Sequence, residues 1–146
     1  MRALILCLVS LFLVSCAATG PKFSEIPAAS VSPEKSRVYV YRQNVSYLSG
    51  LVTPIFDNGS KMGELNIGGY ITYETDPGEH TISTNANLFG NKDASALMKA
   101  GETYYFMVTS KLRGHNSSGF FGNFTVIDAS GRGVPLGMYE MRNQTK

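Results

Sequence analysis

A series of short apolar segments, each ended by a turn signal, runs from residue 37 to the C-terminus and constrains the fold most. Residues 37–42 (RVYVYR) place β-branched and aromatic side chains between two charges, which is typical of a strand. Asn58-Gly59 and Pro77-Gly78 supply the backbone conformations that tight turns need. Strands and turns at this spacing, without a long helical period, predict an all-β fold of two packed sheets.

Seven or eight strands are expected in this sandwich. The predicted strands are residues 37–42, 51–56, 61–67, 69–75, 80–86, 103–109, 120–128 and 134–141. Pro54 has no amide hydrogen to donate, so the second strand should lie at a sheet edge or carry a bulge. The run 103–109 is apolar on both faces, which predicts a central strand. Residues 93–100 are ambiguous, because their composition favours a short helix whereas the alternation of Ser95 and Leu97 allows a strand.

The first fifteen residues have the pattern of a signal peptide. Residues 4–14 form an almost wholly apolar run of eleven residues. A helix that crosses a membrane needs roughly 20 apolar residues, so this run fits the apolar region of a secretory signal instead. It ends in Leu13-Val14-Ser15-Cys16, which resembles a bacterial lipobox. In proteins of that kind the signal is cut before the cysteine, whose thiol carries a diacylglycerol.

The lipobox resemblance implies a covalent lipid on Cys16, and therefore attachment to a membrane. Two or more acyl chains hold a protein stably at a bilayer, whereas one chain is marginal. Ala17 stands where lipoproteins of the inner membrane typically carry Asp. In a source with two membranes we therefore expect the outer membrane, with the domain facing the periplasm or the exterior. The alternative is ordinary signal cleavage near Cys16, which would release a soluble secreted protein.

The pattern divides the chain into three segments. These are a lipoprotein signal peptide (1–15), the lipidated cysteine with a Pro-rich tether (16–36) and the β-sandwich domain (37–146). The tether contains Pro21, Pro27 and Pro33, a composition that suits an extended, semi-rigid spacer. Phe23 and Ile26 either dock on the domain or touch the membrane interface, and docking is the favoured interpretation.

Several short motifs occur in a fixed order through most of the mature chain. They are Cys16 with 20–23, then 37–42, Asn58-Gly59, Met62-Gly63, Gly69-Tyr70, 77–81 and 100–105. In this order the chain resembles a family of small bacterial lipoproteins built on a domain of unknown function with a transthyretin (prealbumin)-like fold. The resemblance implies a two-sheet sandwich in the cell envelope. It implies no activity, and no functional residue beyond Cys16.

The sequence shows no pattern typical of catalysis or metal binding. His80 and His115 are the two histidines, and neither has a cysteine or a second histidine at ligand spacing. Cys7 leaves with the signal and Cys16 takes the lipid, so no free thiol remains in the mature chain. No Gly-x-Ser-x-Gly nucleophile motif is present. We expect no catalytic residue, no metal, and no cofactor apart from the covalent lipid.

Two features are candidates for contact with a partner. Phe120 and Phe121, flanked by glycines, could form an apolar tip, although burial of the first and edge cover by the second is favoured. Six tyrosines could present rings with polar tips, although filling of the core and sheet faces is favoured. These are Tyr39, Tyr41, Tyr70, Tyr73, Tyr104 and Tyr105.

The sequence as a whole predicts a membrane-anchored, non-enzymatic interaction module of the cell envelope. Its expected partners are the membrane, through the lipid anchor, and an envelope protein or glycan. A net charge of +2 argues against a nucleic-acid partner, which would need a clustered basic face. A lipid-anchored hydrolase of envelope glycans or peptides, and a soluble secreted sandwich, are the alternatives.

Overall fold

The computed structural model of the chain describes residues 20–26, 30–44, 51–84, 92–116, 119–131 and 133–144, and the side chains of all of these except 111–123. Nine strands lie within these ranges. They are β1 (Ser36–Arg42), β2 (Thr53–Asp57), β3 (Ser60–Leu65), β4 (Gly69–Thr75), β5 (Gly78–Ser83), β6 (Ala94–Met98), β7 (Thr103–Asn116), β8 (Gly119–Asp128) and β9 (Arg142–Asn143). Two short 3₁₀ helices accompany them, Phe23–Glu25 and Leu136–Glu140.

The strands form two sheets, and the predicted all-β sandwich is confirmed. The five-stranded sheet has the order β8-β7-β1-β4-β9, and the four-stranded sheet has the order β3-β2-β5-β6. Within the first sheet, β1 is antiparallel to β4 and parallel to β7, with Val38 opposite Tyr104. β7 lies between β1 and β8, as its apolar composition predicts. Seven of the predicted strands are present, and β6 together with the two-residue strand β9 brings the count to nine.

The hydrophobic core lies between the two sheets. Its buried members are Val38, Val40, Ile55, Leu65, Ile71, Ile82, Met98, Tyr104, Phe106, Val108, Phe124 and Val126. Side chains alternate between the two faces of a strand, so β1 turns Val38 and Val40 into this core and Tyr39 and Tyr41 to the opposite face. The outer face of the five-stranded sheet therefore carries a second, tyrosine-rich cluster.

A buried arginine closes one end of the core. The Arg42 guanidinium donates hydrogen bonds to the Leu51 carbonyl and to the Thr53 hydroxyl, the latter at 3.1 Å. It also lies over the Phe124 ring, 5.1 Å from the centroid. Burial lowers the pKa of this guanidinium. The side chain therefore ties β1 to β2 across the sandwich and packs on β8 of its own sheet.

Pro54 lies beside a β-bulge, as predicted, although the extra residue of the bulge, Met62, belongs to β3. The pairing of β2 with β3 shifts register between Ile55 and Phe56, immediately after the proline. On its other side β2 pairs with β5 only at Phe56 and Asp57. The described part of β5 ends at Ser83, before the position that would lie opposite Pro54.

The ambiguous segment 93–100 is a strand, since β6 pairs with β5 in register with Ser95 opposite Thr81. The segment around Gly114 has a glycine-rich composition that favours a loop, but it is part of the β7–β8 hairpin. There the backbone of His115 pairs with that of Phe120. Backbone pairing along two long adjacent strands outweighs the low strand propensity of glycine at this position.

The prediction of a last strand over 134–141 is wrong. Leu136–Glu140 is a 3₁₀ helix with Pro135 at its N-cap, and the strand β9 begins only at Arg142. The buried side chains are Met138 and Met141, three residues apart. That spacing matches the three residues per turn of a 3₁₀ helix, whereas a half-buried strand buries every second residue.

No helix in the described ranges has the length and apolar character needed to cross a membrane.

Candidate functional site

An aromatic groove lies on the outer face of the five-stranded sheet. Its floor consists of Tyr39 of β1, Tyr70 of β4 and Tyr105 of β7, which project from the same face of three adjacent strands. The Tyr39 and Tyr105 rings stack with centroids 5.4 Å apart and an interplanar angle of 12°. The Tyr70 ring is tilted against Tyr39 at 6.0 Å. Neighbouring strands thus convert three separate tyrosines into one continuous aromatic surface.

Both 3₁₀ helices contribute aromatic walls to this groove. The Phe23 ring meets Tyr39 and Tyr70 edge-on, with centroids 5.3 and 5.8 Å away. It also meets Tyr139 of the second 3₁₀ helix at 5.9 Å. The groove, which is partly open to solvent, has a volume of about 600 Å³. Other lining residues are Ser24, Ile26, Arg37, Thr72, Tyr73, Glu74, Thr103, Val134 and Asn143.

The groove carries hydroxyl groups without hydrogen-bond partners in the described part of the chain. The phenol groups of Tyr39, Tyr70, Tyr105 and Tyr139 form no hydrogen bond to another described residue. The Thr72 Oγ1 atom is buried and likewise has no partner there. These groups lie among apolar ring faces, so a ligand would meet aromatic surface and hydrogen-bonding groups together.

The phenol groups of Tyr70 and Tyr105 stay neutral at physiological pH. Burial, followed by the neighbouring Tyr39, raises the pKa of Tyr70 to about 12. Burial also raises the pKa of Tyr105, with smaller contributions from Tyr39 and Tyr139. Neutral phenols can both donate and accept hydrogen bonds.

Alkaline titration should reveal the burial of Tyr70. The ordinary tyrosine pKa is 10.0, and in the folded protein that of Tyr70 is about 12. The folded chain therefore keeps this proton where the unfolded chain loses it, so the stabilisation is complete below pH 10 and is lost by about pH 12. Ultraviolet absorbance should show a phenol that ionises near pH 12 and that Tyr70→Phe removes. An unchanged titration curve in Tyr70→Phe would contradict this burial.

The charged groups at one end of the groove are paired. Arg37 Nη2 lies 2.6 Å from Glu74 Oε1 and 3.2 Å from the Ser30 carbonyl oxygen. Glu74 also accepts a hydrogen bond from the Ser32 amide at 3.4 Å. The Arg37 guanidinium, followed by the Ser32 amide, lowers the pKa of the Glu74 carboxyl group. The described lining therefore presents a neutral surface.

The segment that carries Phe23 is held against the C-terminal part of the chain. The Phe23 amide donates to the Met141 carbonyl at 2.9 Å, and the Asn143 amide donates to the Pro21 carbonyl at 2.9 Å. Arg142 Nη1 donates to the Gly20 carbonyl at 3.1 Å. Phe23 therefore docks on the domain, which is the favoured one of its two predicted roles.

A polar cluster of Asp57, Tyr73 and His80 lies inside the sandwich and links its strands. Asp57 at the end of β2 and His80 on β5 are 3% and 8% exposed. His80 Nδ1 lies 2.8 Å from Asp57 Oδ1, and Nε2 lies 2.9 Å from the Asp76 carbonyl oxygen. The Tyr73 hydroxyl donates to Asp57 at 3.2 Å, and burial raises the pKa of Tyr73 far above its ordinary value. Both nitrogens of His80 have partners, so this cluster is a structural link.

The sequence-predicted site residues fall in different places. Cys16 lies outside the described residues. The backbones of Phe120 and Phe121 lie in β8, and their side chains are outside the description. Of the six tyrosines, Tyr39, Tyr41, Tyr70 and Tyr105 belong to the outer cluster, whereas Tyr73 and Tyr104 pack with the core between the sheets. No group of three His, Cys, Asp or Glu side chains among the described residues could hold a metal ion.

Sequence reasoning did not identify Phe23 and Tyr139 as parts of a site. Phe23 was expected to dock, but nothing indicated onto which surface. Tyr139 fell in the segment wrongly predicted as a strand. The two-residue period in 37–42 places Tyr39 and Tyr41 on one face of a strand, and this pattern does predict an aromatic face.

One comparison with known proteins gives a match. A family model described as a protein of unknown function (DUF2846) matches residues 32–121, more than half of the chain. The floor tyrosines 39, 70 and 105 lie within the matched range, and the wall residues Phe23 and Tyr139 lie outside it. No curated protein and no solved structure matches the chain.

Proposed function

Since the chain belongs to the DUF2846 family of proteins of unknown function, we propose that it is a lipid-anchored binding protein of the bacterial cell envelope. Its aromatic groove holds a neutral glycan. The observation that carries the proposal is the combination, in one groove, of aromatic rings and hydroxyl groups that have no hydrogen-bond partner among the described residues.

The anchoring part of this proposal is supported by the sequence. The apolar run 4–14 is followed directly by Cys16 in a lipobox-like setting. A diacylglycerol on this cysteine would keep the protein at a membrane, and Ala17 favours the outer one where two membranes exist. The resemblance of the chain to a family of small bacterial lipoproteins also implies that the sandwich is of the transthyretin-like type.

A sugar ring matches both the aromatic rings and the hydroxyl groups of the groove. A saccharide has an apolar C–H face that packs on an aromatic ring, and hydroxyl groups at its rim that donate and accept hydrogen bonds. Tyr39 and Tyr139 offer both kinds of surface, whereas Tyr70 and Tyr105 are buried. A proline-rich peptide also packs on aromatic rings, but its backbone offers mainly carbonyl acceptors. A neutral ligand is favoured because Arg37 and Glu74 already neutralise each other.

Binding is favoured over hydrolysis by the same lining. Hydrolysis of a glycosidic bond commonly needs two carboxyl groups on opposite sides of the bond. Glu74 is the single carboxylate in the described lining, and its Oε1 lies 2.6 Å from the guanidinium of Arg37. The groove thus supports the interaction module over the hydrolase alternative.

Replacement of a groove wall should weaken glycan binding. We expect Tyr139→Ala to reduce the affinity of the mature chain in detergent for chitotetraose, a neutral N-acetylglucosamine tetramer, by about tenfold. Tyr139 is 43% exposed, so its loss should leave the fold intact. Leu136→Ala is the matched control, because Leu136 lies in the same 3₁₀ helix, is 88% exposed and does not line the groove.

Isothermal titration calorimetry measures both affinities. Absence of tetramer binding by the wild-type chain, or an equal loss in both variants, would overturn the glycan proposal. Tight binding of a proline-rich decapeptide at the groove, with no saccharide binding, would assign the groove to a peptide instead.

A further inference from the structure

We infer that the domain lies directly against the lipid bilayer, with the β9 edge of the five-stranded sheet and the docked segment 20–26 facing the headgroups. This inference rests on the lipid anchor at Cys16 proposed above.

The first argument is the length of chain between the anchor and the domain. Gly20 is docked on the domain, since its carbonyl accepts a hydrogen bond from Arg142. Only residues 17–19 separate Gly20 from Cys16. An extended chain spans at most about 3.6 Å per residue, so Gly20 can lie no further than about 14 Å from the anchored cysteine. If the spacer were free up to the start of β1, the domain could instead lie about 60 Å from the anchored cysteine, at about 3.1 Å per residue.

The second argument is the extent of the docking. Lys22 forms an antiparallel bridge with Arg142, and its ammonium group lies 2.8 Å from Glu140 Oε2. Phe23 adds its amide hydrogen bond to Met141 and its ring contacts in the groove. Gly20 packs so closely that an added Cβ would lie 2.1 Å from the Asn143 carbonyl oxygen. The segment therefore pairs with the C-terminal strand and forms part of the folded domain.

The third argument is what the short connection brings to the membrane. β9 is an edge of its sheet, and the docked segment lies beside it. Pro21, Ser24 and Glu25 of this segment are exposed. Phe23 and Ile26, which line the groove, belong to the same segment. The short connection thus holds the groove close to the membrane surface, so the glycan it binds is one that reaches the bilayer.

Site-specific fluorescence quenching can test this orientation. Cys7 and Cys16 are the two cysteines, and after signal removal and lipidation a new cysteine takes a bimane label uniquely. Ser24→Cys places the label in the docked segment. Leu97→Cys places it on β6, which contacts β8, and β8 is the edge of its sheet opposite β9. With strands about 4.8 Å apart, position 97 should lie roughly 20 Å further from the membrane.

The labelled, lipidated chains are inserted into phosphatidylcholine vesicles that contain lipids with nitroxide headgroups. We expect the label at position 24 to be quenched several-fold more than the label at position 97. A Gly/Ser insertion of about 20 residues between Thr19 and Gly20, with a mean span of about 25 Å, should make the two nearly equal.

Equal quenching at the two positions in the chain without the insertion would overturn the orientation and leave the anchor in place. A chain that does not float with the vesicles would overturn the anchor, and this inference with it.

Discussion

Asp57→Ala is expected to lower the free energy of unfolding by about 2–5 kcal/mol, because it leaves two buried hydrogen-bonding groups without their partner at a typical cost of about 1–3 kcal/mol each. Asp57 accepts hydrogen bonds from His80 at 2.8 Å and from Tyr73 at 3.2 Å. Its loss would leave the buried Tyr73 hydroxyl and one His80 nitrogen without partners between the sheets. Urea unfolding followed by tyrosine fluorescence measures the change.

Asp76→Ala is the matched control for this variant. It removes the same type of side chain from the adjoining turn, where the Asp76 carboxylate is 80% exposed and paired with Lys35. The backbone carbonyl that accepts from His80 Nε2 is retained. We expect a small change, because exposed ion pairs contribute little to stability. Similar losses in the two variants would show that the buried cluster has no special role in the fold.

Cys16→Ser is expected to move the protein entirely from the membrane to the soluble fraction. A serine hydroxyl cannot form the thioether that carries the diacylglycerol. Two long acyl chains contribute on the order of 20 kcal/mol to membrane binding at about 0.8 kcal/mol for each CH₂ group, so little else would hold the domain there. Flotation of cell membranes and labelling with a palmitate analogue measure the change.

Cys7→Ser is the control, since Cys7 lies in the apolar run of the signal and is removed with it. This variant should float and take the label as the wild type does. Equal membrane association of Cys16→Ser and the wild type would mean that the domain is held by something other than a lipid on residue 16.

Much of the sandwich could be predicted because its signals are local. The alternation in 37–42 and the Asn58-Gly59 turn act over a few residues, and β1 and the β2–β3 hairpin lie where they were expected. The predicted strand over 134–141 failed because Met138 and Met141 are buried against a distant tyrosine cluster. This contact between distant parts of the chain sets the three-residue spacing of the buried methionines, so the local sequence pattern does not predict it.

The groove could be predicted only in part. The tyrosines were evident as a set, but their assembly depends on the parallel pairing of β1 with β7, in which Tyr39 lies opposite Tyr105. The position of Phe23 likewise depends on a hydrogen bond to Met141, far away in the chain. Pairings at such separation leave no trace in the local pattern of a single sequence.

Intact-mass and peptide analysis of protein extracted from its native membranes tests the central claim most directly. The account predicts a mature chain that begins at Cys16 and carries the mass of a diacylglycerol on that residue, with or without a further acyl group on its amine. A chain that begins elsewhere, or an unmodified Cys16 at its N-terminus, would contradict it.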